Sequence, residues 1–98
     1  MKINETQNGT SLTIALAGRL DTTTAPELEQ ATKNRLEGIT ELILDFASLE
    51  YISSAGLRIL LSLQKIMNRL GSMKIIHVNE TVLEVFEVTG FSDILTIE

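Results

Sequence analysis

The chain has 98 residues, 44% hydrophobic and 21% charged, with a formal net charge of −5 and neither cysteine nor tryptophan. That length holds one core, so a single domain spanning residues 1–98 is expected; the missing cysteines exclude a disulfide framework, a thiol nucleophile and a cysteine-based zinc site. The acidic balance, with its few cations scattered, opposes binding to nucleic acid, and no apolar run approaches the roughly 20 residues of a bilayer span, so no membrane insertion and a cytoplasmic protein are expected.

From the amino terminus, Lys2 to Thr6 reads as a strand. Asn8-Gly9 supplies the positive φ of a tight hairpin turn, and Leu12, Ile14 and Leu16 alternate through a second strand. Thr24 and Glu27 have capping-box spacing, with Pro26 in the first turn where its missing N–H is harmless. Leu28, Ala31, Thr32, Arg35 and Leu36 mark one side of the helix that follows, and Gly38 stops it. Ile39 to Phe46 contains Leu42-Ile43-Leu44, an unbroken apolar run that predicts a central strand covered on both faces. Leu57 to Leu70 carries a broad apolar face and ends at Gly71, which predicts a well-buried helix. Met73 to Val78 reads as a strand, Thr81 and Glu84 have capping-box spacing before a third helix ending at Gly90, and Ile94 to Ile97 reads as a last strand.

The order β-β-α-β-α-β-α-β predicts an α/β domain whose mixed, mostly parallel sheet opens with an antiparallel hairpin and carries about three helices, because strand–helix–strand units cross over right-handed and keep their strands parallel. In such sheets the functional crevice lies beyond the carboxyl ends of the strands. Asp21 after the second strand, Ser54 after the third and Asn79 after the fourth are thereby expected on one rim.

Ser53 and Ser54 precede the long helix, whose unsatisfied N–H groups and dipole favour an anion. A phosphoserine suits that position, and so does an ordinary N-cap serine. Neither the P-loop pattern nor Gly-x-Gly-x-x-Gly is present, and Gly56 alone cannot cradle a pyrophosphate. The only histidine, His77, lies late in an apolar strand without a nucleophile in evident reach. Asp45 closes a strand with no second convergent carboxylate, so both are read as structural. No catalytic residue, metal or cofactor is assigned.

Taken together, Gly18-Arg19-Leu20-Asp21, the block Leu44-Asp45-Phe46 through Ser53-Ser54-Ala55-Gly56-Leu57, and Val88-Thr89-Gly90-Phe91 resemble the STAS family, in its anti-sigma factor antagonist branch. The resemblance implies a regulatory module rather than an enzyme. It implies that Ser54, two positions before the helix-opening glycine, is phosphorylated by a partner anti-sigma factor that is also a serine kinase, with Ser53 as the second candidate. The unphosphorylated form binds that partner and a serine phosphatase resets it. Asp21, Ser53, Ser54, Gly56 and Asn79 form the expected partner-binding surface. Many family members carry an acid where Ser53 stands. The alternative reading is a constitutive STAS scaffold subunit of a transporter or signalling assembly, in which Ser54 merely caps its helix.

Overall fold

A computed structural model describes all 98 residues. Strands β1 (Lys2–Asn8), β2 (Ser11–Leu20), β3 (Glu41–Ile52) and β4 (Ser72–Ile76) form one sheet in the order β1-β2-β3-β4. β1 and β2 are antiparallel, while β2–β3 and β3–β4 are parallel. Helices α1 (Ala25–Thr32) and α2 (Ser54–Leu70) make the two crossovers, and α3 (Glu80–Thr89) follows β4. The hairpin turns on Gly9 and Thr10, one residue later than Asn8-Gly9, and Gly9 takes φ +66°, which a residue with a Cβ adopts at a cost.

The strands add in sequence order, so both right-handed crossovers lie on the same side of the sheet. This corrects the expectation of a central strand covered on both faces. Leu12, Ile14 and Leu16 of β2 are buried with Leu42, Leu44 and Phe46 of β3 and Met73 and Ile75 of β4, whereas Ile43 is half-buried on the open face. Leu28 of α1, Leu57, Leu60, Leu63 and Met67 of α2, and Val82 and Phe86 of α3 close over that core. Phe46 and Phe86 meet with ring centroids 6.5 Å apart, anchoring α3 to β3.

Three further boundaries differ from the sequence reading. β3 continues past Phe46 to Ile52, because it accommodates two irregularities: Ala15 pairs with Asp45 but Ala17 with Ser48, and Gly18 pairs with Leu49 but Arg19 with Tyr51. Each places one extra residue in β3, so the buried positions become Leu49 and Ile52 and the period-2 signal disappears. α1 ends at Thr32, whose hydroxyl donates to the Leu28 carbonyl at 2.9 Å; Leu36 is buried from the connection that follows. The last strand shrinks to one parallel bridge, Ile75 with Ile97, after a 3-10 turn at Phe91–Asp93.

Candidate functional site

β2 and β3 finish side by side, with Leu20 paired to Ile52. Directly beyond that rung, Asp21 braces the turn into α1. Its Oδ1 accepts from the Thr23 hydroxyl at 2.8 Å, the Thr23 N–H at 3.0 Å and the Thr24 N–H at 3.2 Å. The Thr23 hydroxyl is the largest of the bonds that hold the Asp21 carboxyl below the usual carboxylate range. Thr24 stands at the N-cap of α1, yet its hydroxyl bonds backward: it donates to the Arg19 carbonyl at 2.7 Å and accepts from the Asp21 N–H at 2.8 Å. The expected capping box with Glu27 is therefore not made. Asp21 Oδ2 lies 3.8 Å from Arg19 Nε, and the Arg19 guanidinium sits 4.6 Å from the centre of the Tyr51 ring on the neighbouring strand.

On the β3 side, the Ser53 N–H donates to the Leu20 carbonyl at 2.9 Å, and the Ser53 carbonyl accepts from Leu57 at 3.0 Å, which starts α2. Ser53 occupies the N-cap with extended φ −105° and ψ 178°, but its hydroxyl makes no capping bond. Its Oγ is shut off from solvent without a hydrogen-bond partner. Ser54, the first helical residue, is exposed. No acidic residue occupies the first turn of α2, so the positive end of its dipole is uncompensated there.

Gly56 explains how closely this junction packs. A Cβ at that position would stand 2.7 Å from Ile52 Cγ1, 2.8 Å from Leu20 Cγ and 3.0 Å from the Leu20 carbonyl oxygen. Only a glycine lets α2 begin directly against the ends of β2 and β3.

Asn79 lies on the other flank. Its Oδ1 accepts from the Val82 N–H at 2.8 Å and caps α3, a role the Thr81 and Glu84 spacing had pointed two residues away from. Its Nδ2 donates to the Leu49 carbonyl at 2.7 Å. Leu49 precedes Ile52 by three residues, about 10 Å of strand. Asp21, Ser53, Ser54 and Gly56 thus gather at one rung, while Asn79 stands on the β4 side of β3 with both ends of its amide engaged.

Two features escaped sequence reasoning. One is the Arg19–Tyr51 stack, since Tyr51 gave no strand signal. The other is a pair between Asp45 and His77. Asp45 lies within β3 rather than closing it, paired with Ile76, and its Oδ1 accepts from the Ala47 N–H at 3.0 Å and from His77 Nδ1 at 2.9 Å. The Ala47 N–H, followed by His77, lowers the Asp45 carboxyl. His77 adopts φ +60°, the only non-glycine in the left-handed region, and its side chain is largely exposed. This pair sits seven residues before Ile52 along β3, on the order of 20 Å from the Ser54 end, and supplies it no base. No three His, Cys, Asp or Glu side chains converge, and no helix is long and apolar enough to cross a membrane.

Comparison with known proteins matches residues 3–96 to the family model described as "Mlab, STAS domain". The chain belongs to the STAS domain family. Among curated STAS relatives, BtrV of Bordetella bronchiseptica is 31% identical over 99 residues, covering 99% of this chain and 85% of that protein. The anti-sigma-B factor antagonist of Bacillus subtilis is 26% identical over 98 residues, covering 99% and 90%. Among solved structures, the anti-sigma factor antagonist SpoIIAA in its unphosphorylated form superposes with TM-score 0.85 at 18% identity, covering 99% of this chain and 88% of that one. The Bacillus cell fate determinant SpoIIAA in its phosphorylated form gives 0.74 at 18% identity, covering 99% and 91%. The STAS fold and its regulatory relatives agree with the expectation drawn from the central block.

Proposed function

We propose that this STAS domain is a cytoplasmic anti-sigma factor antagonist that binds a kinase-type anti-sigma factor while unphosphorylated and is released when that kinase phosphorylates Ser54, a serine phosphatase restoring the binding form. The observation that carries the reading is the contrast between two adjacent serines. Ser53 Oγ is closed to solvent, whereas Ser54 stands exposed at the first position of α2. A phosphate on Ser54 adds about −1.5 to −2 charges and three acceptor oxygens beside Asp21 and the Arg19–Tyr51 stack. A partner surface shaped for a neutral hydroxyl must then desolvate a dianion, which weakens binding. The helix dipole at the same time stabilises the phosphate on the free antagonist. Both effects favour release.

The test is incubation with the cognate kinase followed by peptide mass spectrometry, together with affinity measurements on Ser54→Ala and Ser54→Asp. Phosphate on Ser54, retained binding by Ser54→Ala and much weaker binding by Ser54→Asp are expected. Phosphate found only on Ser53 or elsewhere overturns the site. The second reading, a constitutive scaffold subunit, draws on the family description and on the place of both serines at the start of α2, where the N-cap is Ser53, without a side-chain capping bond, rather than Ser54. It predicts that both Ser54 variants capture the same partners with equal affinity.

A further inference from the structure

α2 and α3 carry matched stripes of opposite charge. The 17 residues of α2 include Arg58, Lys65 and Arg69 and no acid; the 10 residues of α3 include Glu80, Glu84 and Glu87 and no base. All six side chains are exposed, and none of them takes part in an ion pair within the chain. On each helix the charged stripe runs one residue ahead of an apolar one. On α2, Arg58, Lys65 and Arg69 precede Ile59, Ile66 and Leu70; on α3, Glu84 and Glu87 precede Val85 and Val88.

The apolar stripe of α2 is only partly covered: Leu63 is buried, whereas Ile59 and Ile66 are half-buried. It floors a groove of about 380 Å³ between α1 and α2, lined by Leu36, Ile59, Leu63 and Ile66 with Glu29 and Lys33 on its α1 side, which continues past Leu70 through a second hollow of about 330 Å³ beside Glu37. Leu70 remains 41% exposed. Nothing from α3 lines either hollow. On α3, Val88 is 81% exposed, the most exposed large hydrophobic side chain of the molecule.

Helical geometry decides how such stripes can meet. Because each charged stripe lies one residue before its apolar stripe, the two are offset in the same rotational sense on both helices. Facing helices that run parallel put their charged stripes on opposite edges of the contact; antiparallel helices put them on the same edge. The antiparallel register also matches in spacing. Arg69 meets Glu80 and Lys65 meets Glu84, four residues apart on both sides, and Ile66 then covers Val85 while Leu63 lies under Val88. Within one chain the α1–α2 groove does not receive α3, so a meeting of these stripes requires a second copy.

We propose that α3 of a second copy of this chain docks antiparallel in the α1–α2 groove, held by apolar packing of Val85 and Val88 on Ile66 and Leu63 and by the Lys65–Glu84 and Arg69–Glu80 pairs. One helix in one groove buries less than the standard interface of about 1,200–2,000 Å², so the association is weak and sensitive to salt. The contact joins different surfaces of the two copies.

Sedimentation velocity of the full chain over a hundredfold range of concentration, at low and at high salt, tests it. The expected result is a mass that climbs above the monomer with concentration and falls back with salt. Lys65→Glu and Glu84→Lys should each weaken association about two- to thirtyfold, the range expected when an exposed attractive pair becomes repulsive. The double variant, which restores an opposite-charge pair in each contact, should recover most of the loss. Both residues are exposed, so circular dichroism melts should match the unaltered chain. A monomer at every concentration overturns the proposal. So does association that neither single reversal weakens, for example through the free edge of β1, or a double variant no better than the singles.

Discussion

Replacing Gly56 by Ala puts a methyl where the molecule has no space, and the contacts set the size of the effect. The new Cβ would meet Ile52 Cγ1 at 2.7 Å, Leu20 Cγ at 2.8 Å and the Leu20 carbonyl oxygen at 3.0 Å. Ile52 and Leu20 are both fully buried, so neither side chain can swing into solvent. The Leu20 carbonyl is pinned as acceptor of the Ser53 N–H. Overpacking of this kind costs about 1–3 kcal/mol, and the clash with two buried side chains and a backbone atom argues for the upper part of that range. Alanine recovers about 1 kcal/mol of helix propensity over glycine. The net expectation is a loss of about 1–2 kcal/mol. Urea unfolding followed by circular dichroism measures it: with a slope of about 1 kcal/mol per molar, the midpoint should fall by about 1–2 M while the slope holds. A midpoint equal to or above that of the unaltered chain would falsify the claim that α2 must begin in direct contact with the β2 and β3 ends. Relief of the clash would push α2 outward, so partner affinity should fall even at temperatures where the variant is folded.

Asn79→Ala removes a cap and a tether together. Loss of the Val82 cap costs about 1 kcal/mol, and the Leu49 carbonyl, on a residue 1% exposed, is left without the Nδ2 donor at about 1–3 kcal/mol. Asn79→Asp keeps the cap but not the tether and should fall between the two in a thermal melt; equal melting of all three chains refutes both roles. Acid should weaken the fold in a defined window. The folded-state carboxyls of Asp45 and Asp21 lie below their ordinary value, so their stabilisation is fully present above the unfolded value of about 3.9 and is lost as pH falls through the lower folded values. Asp45→Asn should therefore make urea midpoints fall less steeply between about pH 5 and pH 3, and an unchanged slope would count against the Ala47 and His77 bonds.

Alternating and helical apolar patterns placed β2, α1 and α2, because each buries one face whose period is written in its residues; the unbroken run Leu42-Ile43-Leu44 marked β3, and turn and cap signals marked β1 and α3, β1 having no buried residue of its own. The Ser53–Ser54 block was legible only through its resemblance to the STAS family, since two serines before a helix read by position as an ordinary cap. What lay outside local pattern came from contacts between distant segments. β3 runs on through Ala47–Ile52 because pairing with β2 absorbs two extra residues, which removes the very periodicity that marks a strand. Ile94–Ile97 has strand composition but finds only one rung on β4, since pairing requires a partner edge as well as a propensity. The sheet is covered on one side alone because its order is β1-β2-β3-β4 and its crossovers share a hand. The same is true of the site. Two neighbouring serines carry the same side chain, and it is the fold around them that closes the Ser53 hydroxyl to solvent and leaves Ser54 exposed. Exposure is a property of what surrounds a residue: the sequence, through its family resemblance, put Ser54 ahead of Ser53, and the tertiary structure adds that Ser54 is exposed while the Ser53 hydroxyl is closed to solvent.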